Sequence, residues 1–347
     1  MAVRALAATA IIGVAAIGCG GTYGGKPRHD TAVKTVVDGP KTLEAAALPY
    51  QILDARTGHQ VDSATFWQQL ATMRAVCVGE EHPNPHHHWV QLEVVRHLAK
   101  SWTEMALGME MFQRPFQGVL DDYAAKRISD DALRSRAGWE DRWGYDYWLY
   151  GPVIAAAVDA HAALLALNAA KELTKKVAHH GIESLTTDER AQVPDLKLDD
   201  TAHRAWFDDL MENMGGTTAH AKPKDSSNGP DEKHADPDAE MPSADRVYTV
   251  QVMWDETMAD GAAKWLHKTP NGHVVILAGT GHCHDSAIVN RIKRRGIAEV
   301  VSLRSVVDDG LGGVAEALAR PMNDYLVVLD LPADVKAKLK AEADKER

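Results

Sequence analysis

Apolar residues fall along this chain in short runs, and several of the runs end on polar or charged residues. AVCVG at 75–79 leads into Glu-Glu-His, ALGMEMF at 106–112 carries Glu110, HAALLALNAA at 161–170 reaches Asn168, and HVVILAGTGH at 273–282 closes in a Gly-Thr-Gly-His turn. Runs of this length without strict alternation predict strands covered on both faces. YQILDARTGHQV predicts a further short strand and turn, and IAEVVSL and DYLVVLDL predict two strands near the end. Between them the period changes to that of a helix. Leu92, Val95 and Leu98 recur at helical spacing after Asn84 and Pro85, which have the chemistry of an N-cap and a first helical residue, so a helix is expected over 86–100. Ser63 is expected to cap a helix running to about Met73, and helices are expected over 244–267 and 286–295, the latter closed by Gly296.

Strands alternating with helices define an α/β class: a mainly parallel sheet with helices on both faces. Ligands of such sheets bind beyond the carboxyl ends of the strands. GEEH, Glu110, Asn168 and GTGH all stand at predicted strand ends, so one crevice is expected to collect them.

The flanks read differently. Arg4 followed by the apolar stretch Ala5 to Ile17 has the proportions of a signal-peptide core, and AIGCG places small residues before Cys19 as in a bacterial lipobox, with Ala16 where leucine is usual. The expected division is a signal peptide at 1–18, a lipidated Cys19 with a flexible tether to 45, an α/β domain over 46–335 and a charged helix over 336–347. A polar stretch at 215–245, rich in Gly, Pro, Ser, Asp and Lys, is expected to be a disordered insertion, with His220 and His234 solvated. The expected location is the bacterial cell envelope, lipid-anchored to a membrane or periplasmic. A formal net charge of -11 argues against nucleic acid as a partner. Of the remaining cysteines, Cys77 and Cys283 are read either as buried thiols or as a bridge, which sequence does not decide.

The candidate chemistry lies in Gly-x-x-His. With 26 glycines and 17 histidines about one chance match is expected, and three occur, at Gly79–His82, Gly279–His282 and Gly281–His284. Two of them terminate separate apolar runs, where glycine permits the turn that exposes the next side chains. His82 and His282 with Glu80 or Glu81 and Glu110 offer ligands for a divalent metal, or groups for acid–base chemistry without one. His86, His87 and His88 fall in the first turn of a helix, point in different directions, and are read as an exposed helix start.

VGEEHPNPHHH, ALGMEMFQRPFQGVLDDY, Trp139 with WGYDYWLYGPVI, LLALNAA, VQVMWDETMA and VILAGTGHCHD together resemble the ChaN-like haem-binding uptake lipoproteins, within the superfamily of Tiki/TraB metalloproteases and erythromycin-esterase-like hydrolases. The matching stretches run in family order from about residue 50 to 330. The turn departs from the family's usual Gly-Asn-Gly-His, and the stretch at 215–245 is additional. The resemblance implies a lipoprotein associated with haem or iron uptake. From the wider superfamily it implies a hydrolytic centre at Glu80, Glu81, His82, Glu110 and His282, with Asn168 and Asp255 as neighbours.

Two functions follow as expectations. As a haem binder, the chain offers GWEDRWGYDYWLYGP at 138–152, its most aromatic segment, read as an amphipathic helix whose aromatics form either core or haem face. Tyr150 is the first choice of axial ligand, His82 or His86 the second, and Arg142 is in reach of the propionates. A flat haem face can be shared between two copies, giving a homodimer. As a hydrolase, His82 or His282 is expected to ligate a metal or act as base, Glu80 or Glu81 to activate water, and Glu110 to ligate the metal or orient its neighbours. There is no Gly-x-Ser-x-Gly elbow.

Overall fold

The computed structural model describes residues 40–213 and 242–345. The expected signal segment, Cys19 and most of its tether, and most of the polar stretch with His220 and His234, lie outside the described residues.

Eight strands form one sheet: β1 (Tyr50–Asp54), β2 (Gln60–Val61), β3 (Ala75–Glu80), β4 (Met105–Gln113), β5 (Ala163–Asn168), β6 (His273–Gly279), β7 (Val300–Asp308) and β8 (Tyr325–Asp330). Their order across the sheet is β2-β1-β8-β7-β3-β6-β4-β5. From β8 to β5 all pairs are parallel, while β1 pairs antiparallel with both β8 and β2, and β2 finishes that edge. The α/β class is as expected, with the antiparallel edge added.

The unalternating apolar runs are explained by their position. Every residue of β3 and of β4 is buried, because β3, β6 and β4 lie at the centre with helices against both faces. On one face Leu92, Val95 and Leu98 of the helix Pro85–Leu98 and Val153, Ile154 and Ala157 of the helix Gly151–Asp159 pack with Val76, Val78, Leu107 and Met109. On the other face Met258, Ala259, Ala262 and Leu266 of the long helix Ala244–Lys268 pack with Cys77, Val274 and Ile276. Burying one such aliphatic side chain contributes roughly 1.5–3 kcal/mol, so these two layers dominate the fold's stability.

Helix boundaries follow local chemistry. Asn84 accepts from the His86 amide and Pro85 occupies the first turn, as read from sequence. Asp62, not Ser63, caps the helix Ser63–Ala71, its carboxylate accepting from the Thr65 amide. Gly296 has φ +85, the left-handed conformation in which a Cβ is strained. The segment before it is not one regular helix: a π-type turn Asp285–Val289 precedes Asn290–Lys293, with Ala287 at φ -100 and ψ -123. The last helix starts earlier than expected, at Ala333.

The aromatic segment is also not one amphipathic helix. It folds as a short helix Trp139–Arg142, a bend through Gly144 at φ +80, a 3-10 turn Tyr147–Leu149, and then the helix Gly151–Asp159. The bend directs its aromatics to two environments: Trp139 and Tyr150 into the core, Trp143 and Tyr145 to the end of the sheet.

Cys77 and Cys283 form a disulfide, with both residues fully buried. It ties the middle of β3 to the turn after β6, so the reading of two separate thiols is set aside.

Candidate functional site

The carboxyl ends of β3, β6 and β4 bring Glu80, His82, Glu110 and His282 together. Glu80 and Gly279 are register partners across β3 and β6. The Gly279 amide donates to Glu110 Oε2 at 2.7 Å, which fixes that carboxylate over the neighbouring strand. A Cβ at Gly279 would lie 3.1 Å from His82 Cε1, tighter than ordinary contact, so glycine there lets the imidazole lie against the strand end. Asn168, at the end of β5, donates through Nδ2 to the Glu110 carbonyl oxygen at 2.9 Å and braces the outer side.

Two histidine–carboxylate pairs result. His82 Nδ1 meets Glu80 Oε1 at 2.6 Å, both buried. Burial opposes the Glu80 charge, but His82 and His88 outweigh it and lower its pKa. Burial likewise opposes a charged His82, and Glu80 reverses the effect and raises its pKa. The second pair is His282 Nδ1 with Asp255 Oδ1 at 2.7 Å, while His282 Nε2 lies 3.5 Å from Glu110 Oε1. Burial works against the imidazolium, but Glu110 and Asp255 hold its pKa at about 9. At neutral pH His282 is therefore a cation between two carboxylates.

Above these pairs stand the aromatics delivered by the bend. The His82 ring is 4.7 Å from Trp143 and 4.8 Å from Tyr145. Tyr145 is half-buried, and its hydroxyl has no hydrogen-bond partner among the described residues. Burial, Glu80 and Glu110 all raise its pKa.

Tyr150 is placed differently. It is 1% exposed, and its hydroxyl lies 3.4 Å from both Glu80 Oε1 and the His82 carbonyl oxygen. Burial, reinforced by Glu80, raises its pKa well above the ordinary value. It supports the floor of the crevice and does not face into it.

Other expected residues separate. Glu81 turns away from Glu80, because successive side chains alternate along an extended segment; its carboxylate accepts from Asn84 Nδ2 and its amide donates to His87 Nδ1. His86 points to the N-terminal side and donates through Nδ1 to the Ala46 carbonyl at 2.6 Å. Arg142 donates to Gln113 at 2.6 Å and to Glu172 at 2.8 Å.

The exposed reading of the histidine cluster is corrected. His87 and His88 are buried, and His88 Nε2 lies 3.0 Å from the His82 carbonyl oxygen and 3.6 Å from Glu80 Oε2. Burial holds the His87 pKa down at about 4, so it is neutral. The helix that carries them lies against the sheet face, and its first turn is covered where an isolated amphipathic helix would be wet.

Among the described residues no group of three or more His, Cys, Asp or Glu side chains is arranged to hold a metal ion. His82, Glu110 and His282 lie close together, and Nδ1 of each histidine is hydrogen-bonded to a carboxylate.

Behind His282 lies a polar cluster, two of whose members had a signal in the sequence, Asp255 through the family resemblance and His284 through its Gly-x-x-His match. Asp255 Oδ2 meets His203 Nε2 at 3.0 Å and Arg291 at 3.7 Å. Burial opposes its charge, yet Arg291 and the two histidines lower its pKa. Glu256 is fully buried among Arg291 at 3.3 Å, Arg295 at 2.7 Å and Arg294. His284 is buried against Trp206 with its pKa held down at about 3 by burial. The third Gly-x-x-His match was the sequence signal for His284; His203 and Arg291 had none.

Parallel strands ending in a buried histidine–carboxylate crevice roofed by aromatics define an α/β protein with its site at the strand ends. The sequence profile described as "Haem-binding uptake, Tiki superfamily, ChaN" matches residues 66–292, and the chain belongs to that family. A solved structure described as "Cofacial heme binding to ChaN of Campylobacter jejuni" aligns with a TM-score of 0.59 and 15% identity, covering 81% of this chain and 96% of that one. At that identity the likeness is one of fold. A second, the type III effector HopBA1, aligns at a TM-score of 0.38 and 10% identity over 77% and 91% of the two chains, too distant to carry an argument. No curated protein matches the chain.

Proposed function

We propose that this protein binds haem at the strand-end crevice, where Tyr145 would supply the oxygen that holds the iron, and serves haem or iron uptake from a lipid-anchored position in the bacterial cell envelope. The observation that carries the reading is the Tyr145 hydroxyl: half-buried, without a protein partner among the described residues, and beside His82. Family membership supports haem as the ligand, and the lipobox-like AIGCG supports the anchor. The residues present fit the group, since Trp143 and Tyr145 offer flat faces and an oxygen donor. Haem supplies an iron with an open coordination position that accepts an anionic oxygen. The exposed edge of the aromatic roof suits two copies meeting over their ligands, in keeping with the cofacial haem of the Campylobacter protein.

Titrating the purified protein with hemin is expected to give a Soret band that Tyr145→Phe weakens by more than about tenfold, with Tyr150→Phe close to wild type. No Soret band in wild type sinks the proposal, and an unaffected Tyr145→Phe sinks the ligand assignment. Sedimentation with and without hemin tests the pairing of copies.

A second reading rests on the Asp255–His282–Glu110 arrangement: acid–base hydrolysis of an ester or amide without a metal. His282, protonated at neutral pH, is the candidate acid; Glu110 is the candidate base for water. Turnover of an ester and peptide panel that Glu110→Gln abolishes would favour it. The absence of turnover by wild type would remove it.

A further inference from the structure

From Val250 to Asp260 the helix Ala244–Lys268 is buried at every residue except Trp254, which is partly exposed. A helix buried all round reaches solvent only where the layers packed on it part, so the exposure of this one side chain marks an opening. The Trp254 ring stands 6.0 Å from that of His282 at an interplanar angle of 89°. The His282 side chain is itself 12% exposed, so the two meet at the same opening.

The surroundings agree. Trp254 packs against two apolar clusters, one holding Leu167 and the other Ala169 and Ala170. Between Leu167 and Ala169 stands Asn168, whose amide braces Glu110. Trp254 therefore borders the crevice on the side of β5, from the face of the sheet that carries the long helix. Trp143 and Tyr145 border it beside His82, from the opposite face. The histidine–carboxylate pairs lie between an aromatic wall from each layer. Like the Tyr145 hydroxyl, the Trp254 indole N–H has no hydrogen-bond partner among the described residues. An indole offers a broad flat face together with one donor, a combination suited to a conjugated ring that carries polar groups at its edge.

We propose that Trp254 is the second wall of the crevice and contacts the porphyrin ring itself. The assignment rests on the haem reading above and divides the labour within it: Tyr145 recognises the iron, and Trp254 recognises the macrocycle whether or not iron is present.

The test titrates hemin, by its Soret band, and metal-free protoporphyrin IX, by its fluorescence, into wild type, Trp254→Phe, Trp254→Leu and Trp254→Met. Phenylalanine keeps a flat face, while leucine and methionine fill the space without one, and either of the two decides the matter if the other fails to fold. Wild type is expected to bind both porphyrins, the leucine and methionine variants to bind both about tenfold more weakly, and Trp254→Phe to stay within about threefold of wild type. Unchanged binding by the leucine or methionine variant overturns the assignment, and so does a loss in Trp254→Phe as large as theirs, which marks packing and not a ring contact. Wild type that binds hemin but not protoporphyrin also overturns it while leaving haem binding intact, and failure of wild type to bind hemin removes both readings.

Discussion

Two buried clusters of charge meet at His282, and their counter-ions differ. Behind it, Asp255 and Glu256 are answered mainly by arginines, Arg291, Arg294 and Arg295, which stay charged at any pH the protein meets. In front of it, Glu80 and Glu110 are answered by histidines and a backbone amide, with tyrosines alongside. The rear cluster is held mainly by arginine charges that do not titrate and acts as structure. The front cluster has a conditional one, so protons and ligands can change it. A buried carboxylate is therefore weak evidence for a site until its counter-ion is known.

The sharpest way to break the contrast is to disarm the rear. Asp255→Asn leaves Arg291 short of a partner and removes the acceptor shared by His203 and His282, and a loss of about 3–5 kcal/mol in urea unfolding is expected. A loss below about 1 kcal/mol would mean that the rear cluster is no more structural than the front.

The front should show itself in pH. His282 is raised from 6.5 to about 9, so its stabilisation is complete below 6.5 and lost as pH rises through 9. Unfolding free energy is expected to fall by roughly 2–3 kcal/mol from pH 6 to 10, with a shallower fall in His282→Asn, where His82, whose pKa is also raised, still contributes. His284 and His87 act with the opposite sign: held neutral at about 3 and about 4, they contribute above 6.5 and cease to as pH falls toward those values. Retention of the full alkaline decline in His282→Asn would assign it to other groups.

Smaller effects separate floor from roof. Tyr150→Phe is expected to cost about 1 kcal/mol of stability, since its hydroxyl makes only long contacts to Glu80 and the His82 carbonyl, and to leave hemin affinity within about twofold. Smallest of all, His86→Ala loses one hydrogen bond to Ala46, about 0.5–1 kcal/mol, and should not alter the Soret titration. A change in that spectrum would bring His86 back among the ligands.

The central strands were legible because burial on both faces writes itself as an apolar run, and the Asn84-Pro85 start because capping is local chemistry. Glu80, His82, Glu110 and His282 could be expected together because strand ends of a parallel sheet converge. What escaped was set by tertiary placement. Nothing local distinguishes buried His87 and His88 from a wet first turn, or tells that a bend at Gly144 sends Tyr145 outward and Tyr150 inward.

The Cys77–Cys283 bond also has a bearing on biogenesis. Its halves are separated by 206 positions, so during synthesis the first cysteine must wait, unpaired, until almost the whole domain has emerged. Both sulfurs end in the interior, so the oxidant must act before the helix Ala244–Lys268 and its neighbours close over β3. Production in a reducing cytosol is then expected to yield dithiol protein that resists later oxidation, and thiol counting on material made with and without an export signal would reveal that order of events.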